Sequence, residues 1–307
     1  MHDFKNIYGQ DLAIEILKAA ISKEHISSAY LFSGPEGVGR KKTAKVFINA
    51  VLDRSFDNKS TKRKIETNNH PDLLWIEPSY IVQGKSISQR KARSENINLK
   101  SLPQIRINQI KEIIEFLGKK PLESERSIVI IEDIERINES ASNALLKTLE
   151  ETNKGLFILI TQRPEKLLST IRSRCQIVPF IRLDDNQVSR IIENLPVFEE
   201  INDIPRDKTR ELIDFAYGSP GRYLINLKYW LSISSSLRHK LEIQLTNQIE
   251  LLQLAKEITD ELNIEQQLWF IDFQQNRAWI KQKNSNTVKQ LEELRKQLLK
   301  TCQFLKK

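Results

Sequence analysis

The sequence predicts an α/β protein: a parallel sheet flanked by helices, followed by a half that is helical throughout. Three observations carry this. Ile128 to Ile131 is an unbroken apolar run, and Leu156 to Thr161 (LFILIT) is nearly one; such runs mark strands buried on both faces of a parallel sheet. Strand-like and helix-period segments alternate over the first 180 residues, as in βαβ units. From Leu183 onward only helical periodicity is found, and no glycine or proline occurs between Lys228 and Lys307.

Composition narrows the class. The chain has 307 residues, enough for two or three domains, and 39% of them are hydrophobic. Mean hydropathy is −0.44 and no apolar run approaches the length of a membrane span. The first residues, MHDFKNIYGQ, hold no apolar segment of the signal-peptide kind, so none is expected. The two cysteines, Cys175 and Cys302, lie far apart in unlike contexts. That argues against a disulfide framework and for a reducing, cytoplasmic location. A net charge of +8 suits a nucleic-acid partner and equally suits a Lys- and Asn-rich base composition.

In order, residues 3–25 give a turn and an amphipathic helix with Leu12, Ile16, Ala19 and Ala20 on one stripe. Ile7 to Gln10 either faces an adenine ring or packs as a turn. Tyr30 to Thr43, YLFSGPEGVGRKKT, reads as strand, glycine-rich loop and helix start. A phosphate loop of the form G-x-x-x-x-G-K-[ST] uses glycines to close backbone N–H groups around phosphate, a Lys to neutralise it and a hydroxyl for Mg²⁺. Gly34, Gly37 and Gly39 are in place, but Arg40 stands at the Lys position and Lys41 at the Ser/Thr position.

Residues 53–69 read as a flexible polar insertion and 80–104 as a basic loop with a cationic run at Arg90, Lys91 and Arg93. Between them His70 to Ser79 returns to strand-like alternation, and His70-Pro71-Asp72 reads as a turn rather than a catalytic cluster. Ile105 to Leu117 carries a helical stripe, closed by Pro121. The Ile128–Ile131 strand ends in Glu132-Asp133, carboxylates placed where open α/β sheets bind ligands. In phosphate-loop ATPases such a pair holds Mg²⁺ and the attacking water, usually with Asp first. Here the order is reversed. A helix over Glu139–Asn153, the 156–161 strand, a short helix, a basic turn and a last strand near 176–180 complete this half.

HISSAYLFSGPEGVG, NHPDLLWIEP, INQIKEIIEFL, SNALLKTLEE and STIRSRCQIVPF, in that order, resemble an AAA+ clamp-loader subunit of the delta-prime (δ′) family. The resemblance covers roughly residues 4–227 and implies an α/β AAA+ P-loop domain over 1–182, a small helical lid domain over 183–227 and an all-helical C-terminal collar domain over 228–307. It implies a stator-like, non-hydrolysing subunit of the DNA polymerase III clamp loader, with γ/τ-type ATPase subunits, a delta subunit, the sliding clamp and primed DNA as partners in a heteropentameric ring. Arg174, in Ser173-Arg174-Cys175, takes the place of the arginine finger given in trans. Glu132 and Asp133 become Walker B-like residues and Thr161 sensor-1-like.

Departures from the pattern sharpen the expectation. With Arg40 and Lys41 at the loop, ATP binding is doubtful. The lid has Gly221 where catalytic relatives carry Arg, with Arg222 shifted by one. The four zinc-binding cysteines of many relatives are absent from 50–70, so neither zinc nor another cofactor is expected. The alternative reading is a nucleotide-binding or weakly active AAA+ ATPase of recombination or repair.

Overall fold

The computed structural model describes residues 4–52, 59–82, 85–88, 91–92, 102–151, 155–194, 204–242, 248–282 and 293. The chain divides into two compact units, Met1–Gln187 and Val188–Lys307.

The first unit is organised by a five-stranded parallel sheet. Its strands are β1 (Ala29–Ser33), β2 (Leu73–Ile76), β5 (Ser127–Ile131), β6 (Gly155–Thr161) and β7 (Gln176–Pro179), in the order β2-β5-β6-β1-β7. All five residues of β5 and all seven of β6 are buried, as their apolar runs require. On one face lies a cluster that includes Tyr30, Phe32, Ile128, Ile130 and Ile158; on the other a cluster that includes Leu31, Val129, Ile131, Phe157 and Leu159. Successive residues of one strand therefore feed opposite faces.

Helix α1 (Asp11–Ser22) buries Ala13, Leu17 and Ala20, while Leu12 is 57% exposed. The predicted stripe is thus rotated by one position; 13, 17 and 20 also fit the i, i+4, i+7 period, with two alanines allowing close approach. Helix α2 (Arg40–Leu52) follows the glycine loop and sets Ala44, Phe47 and Ile48 into the first cluster.

Two segments read as unstructured are ordered in part. Within 53–69 lies helix α3 (Lys59–Glu66), fastened by Ile65, 1% exposed and the one apolar side chain in an otherwise polar helix. Within 80–104, β3 (Ser79–Val82) and β4 (Lys85–Ser88) pair antiparallel, Tyr80 opposite Ile87. Residues 53–58, 83–84, 89–90 and 93–101, Arg90 and Arg93 among them, lie outside the described residues, as do Cys302 and nearly all of the terminal amphipathic stretch. Helix α4 (Ile107–Leu117) buries Ile110 and Ile113 and leaves Ile114 exposed. Helix α5 (Glu139–Glu151) starts where Asn138 Oδ1 accepts the Ala141 N–H at 2.9 Å, and α6 (Ser169–Ser173) leads into β7.

His70 and Asp72 form a turn, as read. Asp72, 2% exposed, accepts the N–H groups of Leu122, Glu123 and Ser124 and the Ser124 hydroxyl at 2.7–2.8 Å. It staples the connection between α4 and β5 to the start of β2.

Helix α7 (Asp185–Glu193) spans the division. The second unit then holds α8 (Arg206–Ala216), α9 (Pro220–Ser232), α10 (Ser235–Glu242), α11 (Gln248–Glu261) and α12 (Ile264–Gln282). Ser219 caps α9 through the Arg222 N–H at 3.2 Å, with Pro220 in the first turn where its missing N–H costs nothing. Phe215, Trp230, Trp269 and Phe273 form an aromatic core, with Trp269 and Phe273 stacked at 5.3 Å. Buried Lys208 lies over Trp230 at 4.6 Å and pairs with Glu211. Among the described residues no helix is long and apolar enough to cross a membrane.

Candidate functional site

The glycine loop leaves the carboxyl end of β1 beside those of its neighbours. Gly34 N–H donates to Thr161 O at 3.2 Å, which fastens the loop's first residue to the end of β6. At Gly34 φ is +153° and an added Cβ would meet the Phe180 carbonyl oxygen at 2.3 Å, so glycine is required there. Gly37 and Gly39 also have positive φ, 75° and 104°, and a Cβ on Gly39 would meet nothing within 4 Å. The loop keeps the turns of a phosphate cradle and has open space at its last glycine.

What has changed is the side chains. Arg40 opens α2 and is only 6% exposed, and its Nη1 has no hydrogen-bond partner. Burial lowers the pKa of this guanidinium, and Asp133, Glu135, Glu36 and Glu132 act in the opposite direction. Arginine nevertheless stays charged. Lys41 Nζ is paired with Glu132 Oε2, and Trp75 Nε1 donates to Glu132 Oε1 at 2.7 Å. Glu132 is buried and both of its oxygens are engaged by the chain's own groups.

The adjacent carboxylates are similarly committed. Asp133, in the left-handed region at φ 44°, lies 3.9 Å from Arg136 Nε. Glu135 accepts the Thr161 hydroxyl at 2.8 Å and the Gln162 N–H at 3.3 Å. Thr161 also accepts the Arg163 N–H at 3.0 Å. The carboxyl edge of the sheet thus brings together Gly34, Gly37, Gly39, Arg40, Lys41, Glu132, Asp133 and Thr161.

Two participants were not singled out by sequence. Trp75 becomes visible only once β2 is known to pair with β5, Leu74 beside Val129 and Trp75 beside Ile130. Glu135 needed the 3₁₀ turn Ile134–Arg136, which folds it back toward the strand end. Gln10, weighed against an adenine contact, is 2% exposed and binds the backbone of Ile181 through both amide atoms, at 2.8 and 3.0 Å. Ile7 belongs to the core. The packing reading of this segment is the one its contacts follow.

A nucleotide and its Mg²⁺ fit these residues unequally. The open space at Gly39 and the orphaned Arg40 Nη1 suit phosphate oxygens. A metal ion lacks the hydroxyl that Lys41 has replaced, and Glu132 has no oxygen left for it.

Ser173, Arg174 and Cys175 lie elsewhere. Strand register sets Gln176 beside Tyr30 and Pro179 beside Ser33, so Arg174 precedes the amino edge of the sheet while Gly34 leaves its carboxyl edge. At least about 10 Å of strand separates the two. Arg174 follows α6, donates from Nη1 to Thr170 O at 3.0 Å and from Nη2 to Glu150 Oε1 at 2.5 Å, and its side chain remains 38% exposed. Ser173 Oγ also donates to Thr170 O, at 3.1 Å. Cys175 is buried in the second core cluster with Sγ 3.3 Å from Ile171 O, and burial pushes its thiol up to about 12. It packs as a small apolar residue.

In the second unit Arg222 lies 5.7 Å from the Tyr217 ring. Gly221 is in α9, a residue before it.

Comparison with known proteins follows the same division. A family model described as DNA polymerase III, delta subunit, matches residues 9–184. A second, cyanobacterial DNA polymerase III delta prime, C-terminal domain, matches 186–304. The DNA polymerase III subunit delta′ of Bacillus subtilis is 33% identical over 60% of this chain and 51% of its own length. The tau subunit of the same organism is 29% identical over 60% of this chain and 30% of its own length. The chain thus spans about half of the first relative and less of the second. A crystal structure of a DNA polymerase III gamma subunit-related protein from Thermotoga maritima superposes with a TM-score of 0.52 at 19% identity, covering 96% of this chain and all of that one; this supports the fold. The chain belongs to the DNA polymerase III delta-prime family of AAA+ clamp-loader proteins.

Proposed function

We propose that the chain is a stator-like subunit of a DNA polymerase III clamp loader, turning over no ATP itself and presenting Arg174 to nucleotide held by a neighbouring γ/τ-type ATPase subunit. The observation that carries this is the position of Arg174 at the sheet edge opposite its own phosphate loop. It is remote from nucleotide on its own chain, and its partly exposed guanidinium is held by Glu150 and Thr170 O. A fork of donors fixed in this way suits the negative charge that develops on a transferring phosphoryl group. The engagement of Glu132 by Lys41 and Trp75 accounts for the loss of turnover, because the carboxylate that would hold a metal is occupied.

In this reading the chain is a non-catalytic member of a cytoplasmic polymerase holoenzyme. Its ring partners are the γ/τ-type and delta subunits, and it meets the sliding clamp and primed DNA through the assembled pentamer. Residues 1–182 serve as the AAA+ domain, 183–227 as the lid and 228–307 as the collar. The relatives named delta′ and tau support this assignment.

The test is ATP turnover by the reconstituted complex with Arg174→Ala, stimulated by clamp and primed DNA. Loss at the site facing this chain should be on the order of a thousandfold, about 4 kcal/mol of barrier, with assembly unchanged. The bond from Arg174 to Thr170 O also supports a second reading, a clasp at the end of α6. In that case the variant lowers the melting temperature and leaves turnover by the assembled complex as it was.

A further inference from the structure

Arg40 presents an unresolved cost. It is more than nine-tenths buried, its Nη1 has no hydrogen-bond partner, and it sits at a helix N-terminus followed by two further cations, Lys41 and Lys42. Cations at that end oppose the helix dipole, so the arrangement is unfavourable unless something negative meets it. The carboxylates within electrostatic range of the guanidinium are Asp133, Glu135, Glu36 and Glu132. Glu132 is held by Lys41 and Trp75, Glu135 by Thr161 and Gln162, and Asp133 lies by Arg136. None of those contacts satisfies Arg40 Nη1.

Between Arg40 and the strand ends the loop keeps its left-handed glycines, and the space beside Gly39 is open. An orphaned buried cation and an open glycine cradle call for the same ligand, a phosphate oxygen. The metal half of an ordinary phosphate site is replaced by protein. Lys41 stands at the hydroxyl position with its ammonium on Glu132, the carboxylate that would otherwise hold the ion. A compact ammonium supplies the positive charge there without needing a coordination shell.

We infer that the loop between β1 and α2 is a polyphosphate site that works without a divalent metal, Arg40 meeting the phosphate chain and the Lys41–Glu132 pair occupying the place of the metal and its ligand. This rests on the reading of the chain as non-hydrolysing and specifies what the loop still does. The ligand class is a di- or triphosphate, free or as part of a nucleotide.

The experiment is titration calorimetry of the full chain with tripolyphosphate and, separately, with ATP, each in EDTA and then with Mg²⁺. Binding of at least one anion is expected in EDTA, with no strengthening by Mg²⁺. Tighter binding of ATP identifies a nucleotide and equal binding identifies the bare phosphate chain; either supports the inference. Arg40→Met should weaken binding about 10- to 100-fold, the loss expected for charge-assisted hydrogen bonds, without lowering the melting temperature. Lys41→Ser alters a side chain that is 58% exposed but leaves buried Glu132 with Trp75 alone, so its melting temperature is measured beside its binding. It restores a hydroxyl and releases Glu132, and should make ATP binding Mg²⁺-dependent. Absence of binding by either anion, binding that requires Mg²⁺ in the unaltered chain, or Arg40→Met binding as the unaltered chain does would overturn the inference. These outcomes concern the chain alone and are independent of Arg174→Ala in the assembled complex.

Discussion

Asp72→Asn removes the charge that holds the α4–β5 connection and keeps nearly the same shape. In the native chain this carboxylate, 2% exposed, accepts three backbone N–H groups and one hydroxyl. Burial pushes its pKa up, but the bonds from Leu122, Ser124 and Glu123 outweigh that, and the net shift is downward. Hydrogen bonds to a charged acceptor contribute about 1.5–3 kcal/mol each and do not add fully. An amide presents one acceptor oxygen and turns an NH₂ group toward the remaining donors, so about 3 kcal/mol should be lost. For a unit of this size that lowers the melting temperature by roughly 6–12 °C. Urea unfolding followed by tryptophan fluorescence is the assay, with a Trp75→Phe control isolating the signal of the first unit from that of Trp230, Trp269 and Trp279 in the second. The pH dependence has a definite sign. A carboxylate with a depressed folded pKa contributes its stability above its unfolded value, near 3.9, and loses it as pH falls through the folded value. The native and variant curves should therefore converge in acid and separate above about pH 4. A loss below about 1 kcal/mol at neutral pH, or a difference that persists unchanged in acid, would refute the account of Asp72 as a charged staple.

Two further outcomes follow from the same geometry. Gly34→Ala sets a Cβ against the Phe180 carbonyl in a backbone region that L-residues rarely adopt, and should cost more than about 2 kcal/mol in a thermal melt. With Cys302→Ser as background, Cys175 should react with a disulfide reagent only at the rate of opening, since its thiol is buried with a pKa near 12; rapid labelling of the folded chain would contradict its packing role.

The sheet was legible because its strands are written in the strongest sequence signal available, apolar runs such as Ile128–Ile131, and burial in the structure matches them residue by residue. The glycine loop was legible because positive φ leaves glycine as the default residue. Segment 59–66 hid its helix because almost all of its residues are polar, and Ile65, the side chain that seats it in the core, is too little to make a helical stripe. The β3–β4 hairpin hid behind a basic composition that outweighed the alternation around Ile81 and Ile87. At the site, the phosphate-loop spacing pointed to Arg40 and Lys41 and the end of the Ile128–Ile131 run to Glu132, while Thr161 came with the family resemblance. The bonds among them depend on strand order, which no local pattern encodes. Trp75 reaches Glu132 from a strand 57 residues away.

The strand order has a consequence for the making of the protein. β1, the first strand of the sheet, finds its neighbours in β6 and β7, the last two. Residues 34–154 must leave the ribosome before either partner exists, which at about 5–20 residues per second is about 6–24 s. Through that interval Tyr30, Leu31 and Phe32, all fully buried in the finished fold, have no strand to lie against. The oldest part of the sheet is the last to be satisfied, and the nascent chain is most exposed to misassociation while its phosphate loop has already been synthesised and its frame has not.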